Sequence, residues 1–137
     1  MKIAVLKERR DGEKRVAASP DSVAKFISLG CSVTVESGAG DAASILDDAF
    51  KEAGATIAKT AADTVKGADL VLKIARPMES EIKLFSKGQA LVCHAYALTE
   101  GDTVKALNDQ GVTLFAMELV PRITRAQSMD ILSSQAN

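Results

Sequence analysis

Several residue types are scarce in this chain of 137 residues, and each scarcity argues against a class of protein. There is no Trp, one Tyr and four Phe, so we expect no aromatic platform for single-stranded nucleic acid. The two cysteines, Cys31 and Cys93, form no CxxC motif, so we predict no disulfide scaffold, no metal site and a reduced, cytosolic setting. No apolar run approaches the ~20 residues that span a bilayer, so we expect no direct membrane insertion.

The remaining composition is that of an ordinary globular domain. Apolar residues make up 47% of the chain and charged residues 26%, and the length is sufficient for one domain with a real core. The formal net charge is -1, which gives no indication of a patch for nucleic acid or for a membrane surface.

Short apolar runs alternate with helical patterns along the whole chain. We expect strands at 2–7, 31–36, 55–59, 69–75, 89–96 and 112–117, and helices at 20–29, 44–53, 61–66, 79–86, 102–110 and 127–137. Ser19 and Pro20 form a strong helix start. The alternation predicts an α/β fold with three layers, an open, mainly parallel sheet with helices on both faces, of Rossmann-like or flavodoxin-like type.

Polar side chains fall near the carboxyl ends of four of these strands. Arg15 lies in the loop after the first strand, Lys73 and His94 sit near the ends of two buried strands, and Arg122 follows the last strand. Open α/β sheets bind ligands at this edge, so the four residues predict a site for an anion or a carboxylate. The alternatives are a solvated Arg15, a Lys73 that snorkels past the sheet edge, and a His94 satisfied in the core.

The loop after the last strand holds a second polar group. Gln127 and Asp130 are three residues apart, so they share a face of the expected helix, and Ser133 or Ser134 extends that face. These side chains could bind a polar ligand. Alternatively, Gln127 closes a capping box with Thr124, and Asp130 favours the helix dipole.

One motif imitates a dinucleotide fingerprint. Residues 38–43 read Gly-Ala-Gly-Asp-Ala-Ala, which fits GxGxxA between a strand and a helix. The motif follows the second strand instead of the first, and the acidic residue about twenty positions on, Asp63, falls in a helical turn. We therefore favour an ordinary turn over a nucleotide-binding site at these residues.

With these residues in view, the sequence resembles the alanine dehydrogenase and nicotinamide nucleotide transhydrogenase family along essentially its whole length. The motifs that carry the resemblance are Lys7-Glu8, the run Arg15–Pro20, Lys73 in its strand, Cys93-His94-Ala95 and the run Met117–Arg122. Residues 121–135 resemble the transhydrogenase branch of the family and not the dehydrogenase branch.

The resemblance implies the alpha subunit of a proton-translocating enzyme. Such a subunit binds NAD(H) at the cytoplasmic side of the inner membrane, as a peripheral part of a membrane complex. Hydride passes directly between NADH and an NADP+ that another component holds, and separate membrane-spanning components move the proton. The resemblance also implies a homodimer and no nucleic-acid partner.

The resemblance assigns roles to individual residues. Arg122, Gln127 and Asp130 match residues that contact the nicotinamide end of the nucleotide, and Ser133 lies near it. The loop neighbours carried along are Ile123, Thr124, Arg125, Ser128 and Met129. In the dehydrogenase branch, Arg15, Lys73 and His94 match residues that hold or act on pyruvate, and their role in the transhydrogenase branch is open.

Residues 1–137 are expected to be the N-terminal domain of a longer subunit, with an NAD-binding Rossmann domain after Asn137. Two other functions stay in view. One is an alanine dehydrogenase, which predicts alanine-dependent reduction of NAD. The other is a stand-alone module that binds a carboxylate at the edge formed by Arg15, Lys73 and His94.

Residues 1–137 alone carry only one side of the expected cleft. We therefore predict that the purified polypeptide binds NAD weakly and transfers no hydride from NADH to NADP+. A steady-state assay with both nucleotides checks this, and measurable turnover by residues 1–137 would refute it.

Overall fold

The computed structural model describes residues 1–95 and 101–117 of the chain. Its strands are Lys2–Val5 (β1), Ser32–Glu36 (β2), Thr56–Ala58 (β3), Leu70–Ala75 (β4), Ala90–His94 (β5) and Thr113–Ala116 (β6). Its helices are Pro20–Ser28 (α1), Asp47–Glu52 (α2), Ala61–Val65 (α3), Glu79–Ile82 (α4) and Gly101–Asp109 (α5), with a short 3-10 helix at Asp41–Ala43. No helix in these two ranges is long and apolar enough to cross a membrane.

All six strands join one sheet in the order β3-β2-β1-β4-β5-β6. Every neighbouring pair is parallel. Central strand β1 places Val5 opposite Val35 of β2 on one side and opposite Leu72 of β4 on the other. The prediction of an open parallel sheet is therefore confirmed. Strands in such a sheet are buried on both faces, which explains their near-continuous apolar sequences.

Two apolar cores lie on opposite faces of the sheet. Ile3 and Val5 belong to the core that includes Val23 of α1 and Phe50 of α2. Ala4 and Leu6 belong to the other core, with side chains from α3, α4 and α5. This alternation along β1 is the period of two that a strand imposes, and it confirms the three-layer arrangement with helices on both faces.

The strand order fixes where a ligand can approach the sheet. The chain moves outward from β1 to β3, then returns to place β4 on the other side of β1. The connections at the carboxyl ends of β1 and β4 therefore lead in opposite directions. Doubly wound sheets bind their ligands in the crevice that opens at such a point.

The start of α1 is as predicted, whereas the start of α2 is not. Ser19 caps α1 by accepting a hydrogen bond from the amide of Ser22 at 3.1 Å. The helix expected at 44–53 begins only at Asp47, because Ser44 adopts a left-handed conformation with φ of 63° after the 3-10 helix. Its buried residue is consequently Phe50.

The loop that imitates a dinucleotide fingerprint is closed on itself. The amide of Gly38 donates to Asp47 Oδ1 at 2.9 Å, and the amides of Ala39 and Asp41 donate to carbonyl oxygens of residues 36 and 38. With the hydroxyl of Ser37, the Gly38 amide lowers the pKa of Asp47. A pyrophosphate loop needs such amides free to face its ligand, so this loop does not fit a dinucleotide.

The second glycine of the loop is required by packing. A Cβ atom at Gly40 would lie 2.6 Å from the carbonyl oxygen of Ile45 and 2.9 Å from a ring carbon of Phe50. The backbone there has φ of -96°, which any residue adopts. The close approach of the chain to itself, and not an unusual backbone angle, therefore explains why this position is glycine.

Replacing Gly40 with Ala should lower the free energy of unfolding by about 1–3 kcal/mol, because the backbone must shift to make room. Urea denaturation of the wild type and the variant measures this. Gly101→Ala is the matched control, since a Cβ there meets no atom of residues 1–95 or 101–117 within 4 Å, and it should change stability by less than about 0.5 kcal/mol. Equal effects at the two glycines would contradict the packing explanation.

Candidate functional site at the carboxyl ends of β1 and β4

The carboxylate of Glu8 extends the hydrogen bonding of the sheet beyond the end of β1. The last backbone bond between the two strands runs from the amide of Leu6 to the carbonyl of Leu72 at 3.5 Å. Two residues later, Glu8 Oε2 accepts from the amide of Ile74 at 2.9 Å, and Oε1 accepts from the amide of Ala75 at 3.1 Å. A side chain thus satisfies amides that the backbone of β1 no longer reaches.

Lys73 is buried in the same place. Its side chain is 1% exposed, and Nζ lies 3.3 Å from Glu8 Oε1 and 3.3 Å from Glu81 Oε2 of α4. The alternative that Lys73 snorkels past the sheet edge is therefore wrong: the ammonium stays inside because two carboxylates compensate its charge.

Arg9 connects one further carboxylate, that of Glu36, to this group. Its guanidinium binds both oxygens of Glu36, at the end of β2, and Nη1 lies 3.8 Å from Glu81 Oε2. The hydrogen bonds to Glu36 are the main reason why the pKa of Arg9 is raised. Lys7 adds its backbone amide to Glu36 at 3.0 Å. We call Glu8, Arg9, Glu36, Lys73 and Glu81 the ion cluster.

Glu81 occupies a distinctive position in the ion cluster. Oε1 accepts a hydrogen bond from the amide of Met78 at 2.9 Å. Oε2 is buried without a hydrogen bond of good geometry within the described ranges, although the Lys73 and Arg9 cations lie 3.3 Å and 3.8 Å away. Charge attraction, more than a directed hydrogen bond, therefore holds this oxygen.

Arg10 fastens the next part of the loop to the end of β4. Its Nε donates to the carbonyl of Arg76 at 2.9 Å, and Nη2 donates to the carbonyl of Pro77 at 3.2 Å. Three consecutive residues, Glu8, Arg9 and Arg10, consequently join the loop after β1 to β2, β4 and α4.

Arg15 is paired with Glu13. Arg15 is exposed, and its Nε and Nη2 each lie 2.8 Å from an oxygen of Glu13. These bonds are the largest cause of the lowered pKa of Glu13, and the charge of His94 lowers that pKa further. His94 ends β5 and is half-buried. Of the residues predicted at this edge, Arg15 is thus paired with Glu13, His94 ends β5, and Lys73 lies inside the ion cluster.

A small cavity of about 130 Å³ lies between the loop after β1 and the turn after β2. Its charged lining residues are Lys7, Glu8, Glu13, Lys14, Arg15 and Asp41. Three cations therefore face three carboxylates, and the cavity carries no excess of positive charge with which to select an anion.

Sequence reasoning found Lys73 of the ion cluster and missed Arg9 and the three carboxylates. Glu8, Glu36 and Glu81 come from three separate elements, and no spacing in the sequence relates them. One signal was available, since Glu8 and Glu36 each stand near the carboxyl end of an apolar strand. The other predicted site residues lie outside the described residues: Arg122, Ile123, Thr124, Arg125, Gln127, Ser128, Met129, Asp130 and Ser133.

Comparison with known proteins gives a consistent result. Residues 4–137 match the family model described as alanine dehydrogenase/PNT, N-terminal domain. The chain is 56% identical over 142 aligned residues to the first portion of the NAD(P) transhydrogenase alpha subunit of Rhodospirillum rubrum, which covers 100% of this chain and 37% of that protein. It is 36% identical over 126 residues to an alanine dehydrogenase of Methanococcus maripaludis, covering 92% of this chain and 34% of that protein.

A solved structure agrees with these sequence relatives. The transhydrogenase from Sinorhizobium meliloti superposes with a TM-score of 0.90 at 45% identity, over 99% of this chain and 40% of that one. The chain thus spans well under half the length of the proteins it matches. The match of the family model to nearly every residue, together with this structural likeness, shows that the chain belongs to the alanine dehydrogenase/PNT N-terminal domain family.

Proposed function

We propose that this chain is the N-terminal part of the NAD(H)-binding alpha subunit of a proton-translocating NAD(P) transhydrogenase. The observation that carries the proposal is the 56% identity, over the whole chain, to a protein named as the first portion of the alpha subunit of NAD(P) transhydrogenase. Identity to the alanine dehydrogenase relative is lower, at 36%.

The charge pairs of the candidate site are compatible with this choice. Lys73 already faces two buried carboxylates, and Arg15 is paired with Glu13. A substrate carboxylate would have to compete with these partners for both cations. Transfer of hydride between two nicotinamide rings involves no such carboxylate, so it places no demand on these pairs.

NADH, when bound, supplies the hydride. The chain contributes binding and orientation, because direct hydride transfer needs no protein acid or base. We assign contact with the nicotinamide end to Arg122, Gln127 and Asp130, with Ser133 close to the nucleotide. Ile123, Thr124, Arg125, Ser128 and Met129 form the rest of that loop.

The described domain does not supply the grip on the pyrophosphate. The one loop with a dinucleotide-like pattern has the amides of Gly38, Ala39 and Asp41 occupied internally. The proposal therefore places that grip in a Rossmann domain that follows Asn137 in the longer subunit. Residues 1–137 would then form one side of a cleft between two domains.

The proposal includes partners and a location. An NADP(H)-binding component receives the hydride, membrane-spanning components carry the proton, and the alpha subunit forms a homodimer. The assembly places this domain at the cytoplasmic side of the inner membrane, as a peripheral part of the complex.

The test uses membrane vesicles that contain the full-length protein with its partner components. Hydride transfer is followed from NADH to thio-NADP+, whose reduced form absorbs at a different wavelength from NADH. Wild-type vesicles should show transfer, and Arg122→Ala should lower the turnover roughly 10–100-fold, because the loss of a positioning contact misaligns the reacting atoms.

Lys51→Ala serves as the matched control. Lys51 is an exposed cation on α2, and its Nζ lies 4.0 Å from Asp48 Oδ1. Its turnover should stay within about twofold of wild type. Absence of transfer in wild-type vesicles, together with alanine-dependent reduction of NAD by the same protein, would replace the proposal with alanine dehydrogenase.

A further inference from the structure

We propose that Glu8 is the positioning residue of the cleft, and that its carboxylate fixes the carboxyl ends of β4 and β5 and thereby places Lys73 and His94. The inference rests on the proposed function for its consequence in hydride transfer. Its structural part stands on the contacts of Glu8 alone.

The carboxylate of Glu8 contacts three groups on β4. It binds three successive residues: the ammonium of Lys73 at 3.3 Å, the amide of Ile74 at 2.9 Å and the amide of Ala75 at 3.1 Å. Both oxygens are used, and both are needed, because one oxygen serves each amide. The side chain therefore acts on the strand as a short piece of backbone would.

The register between β4 and β5 shifts at the same place. Leu72 pairs with Val92 of β5, and the next pair is Ala75 with His94. β4 thus advances three residues while β5 advances two, so β4 contains one extra residue here. Such a bulge disrupts the ladder and re-aims the side chains that follow it, and Glu8 supplies acceptors to the amides at this irregularity.

The extra residue in β4 determines which residue lies opposite His94. Without the extra residue, the pairing that joins Leu72 to Val92 would bring Ile74 opposite His94. A change of one residue reverses the face on which each later side chain of a strand lies. By holding the irregular segment, Glu8 sets which residue of β4 faces His94. The same carboxylate holds Lys73 inside the ion cluster.

Glu8 differs from the other carboxylates of the ion cluster in the groups that it binds. Glu36 binds Arg9 and the amide of Lys7, and Glu81 binds the amide of Met78 and faces Lys73 and Arg9. None of these contacts is with a backbone amide of β4. Glu36 is therefore a matched control: it is equally a buried carboxylate of the cluster, but it does not hold the bulge.

The experiment compares Glu8→Gln with Glu36→Gln in the full-length subunit. Glutamine keeps the size of the side chain, but its amide nitrogen replaces one acceptor with a donor that faces another donor. Hydrogen exchange is measured at the amides of Ile74 and Ala75. Turnover and the KM for NADH are measured in vesicles with the partner components.

Glu8→Gln should speed exchange at Ile74 or Ala75 roughly tenfold. It should also lower kcat about tenfold while the KM for NADH stays within about twofold, since an orientation effect acts on the transition state more than on binding. Glu36→Gln should leave the exchange at these two amides within about twofold of wild type, because Glu36 accepts no hydrogen bond from them.

The inference would be overturned by unchanged exchange at both amides in Glu8→Gln or by equally fast exchange there in Glu36→Gln. A kcat of Glu8→Gln within about twofold of wild type would also overturn it. If Glu8→Gln does not fold, the wild-type protein decides the structural part: the amides of Ile74 and Ala75 must be protected, and rapid exchange there contradicts it. If wild-type vesicles transfer no hydride, the proposed function fails, while the exchange data still test whether Glu8 holds β4.

Discussion

The ion pair between Glu8 and Lys73 is the contact on which the rest of the candidate site depends. It forms where the strand order reverses, between the end of β1 and the end of β4. Backbone pairing between these strands ceases at Leu6, and the carboxylate continues it by binding two amides of β4. A side chain, that of Glu8, therefore joins the two strands at the crevice of the sheet.

Charge compensation explains why such polar groups can occupy the interior. A buried ammonium alone would be strongly unfavourable, and Lys73 is tolerated because Glu8 and Glu81 each lie 3.3 Å from its nitrogen. The ion cluster contains three carboxylates and two cations, and Arg9, whose side chain is 34% exposed, joins it to solvent. Such a group fixes geometry more than it adds net stability, since hydrophobic replacements of buried ion pairs are often neutral.

The sequence predicted the sheet well because apolar runs report burial directly. All six strands appear near their expected positions, and the parallel arrangement follows from the alternation of strands and helices. The start of α2 was misplaced because Ser44, which reads as a helix-starting residue, takes a left-handed conformation instead. Of the site, Lys73 was recognised as unusual, yet its partners come from distant elements that only tertiary structure brings together. The roles of Arg122, Gln127 and Asp130 stay predictions.

A double-mutant cycle between Glu8 and Lys73 tests the central claim most directly. The free energy of unfolding is measured for the wild type, Glu8→Gln, Lys73→Met and the double variant. Each single change removes one partner of a buried charge, so the account predicts that each costs roughly 3–5 kcal/mol. The double variant should then be more stable than the sum of the two losses predicts, by at least about 1.5 kcal/mol. Additive losses within about 0.5 kcal/mol would show that the two side chains are not coupled, and would contradict the account.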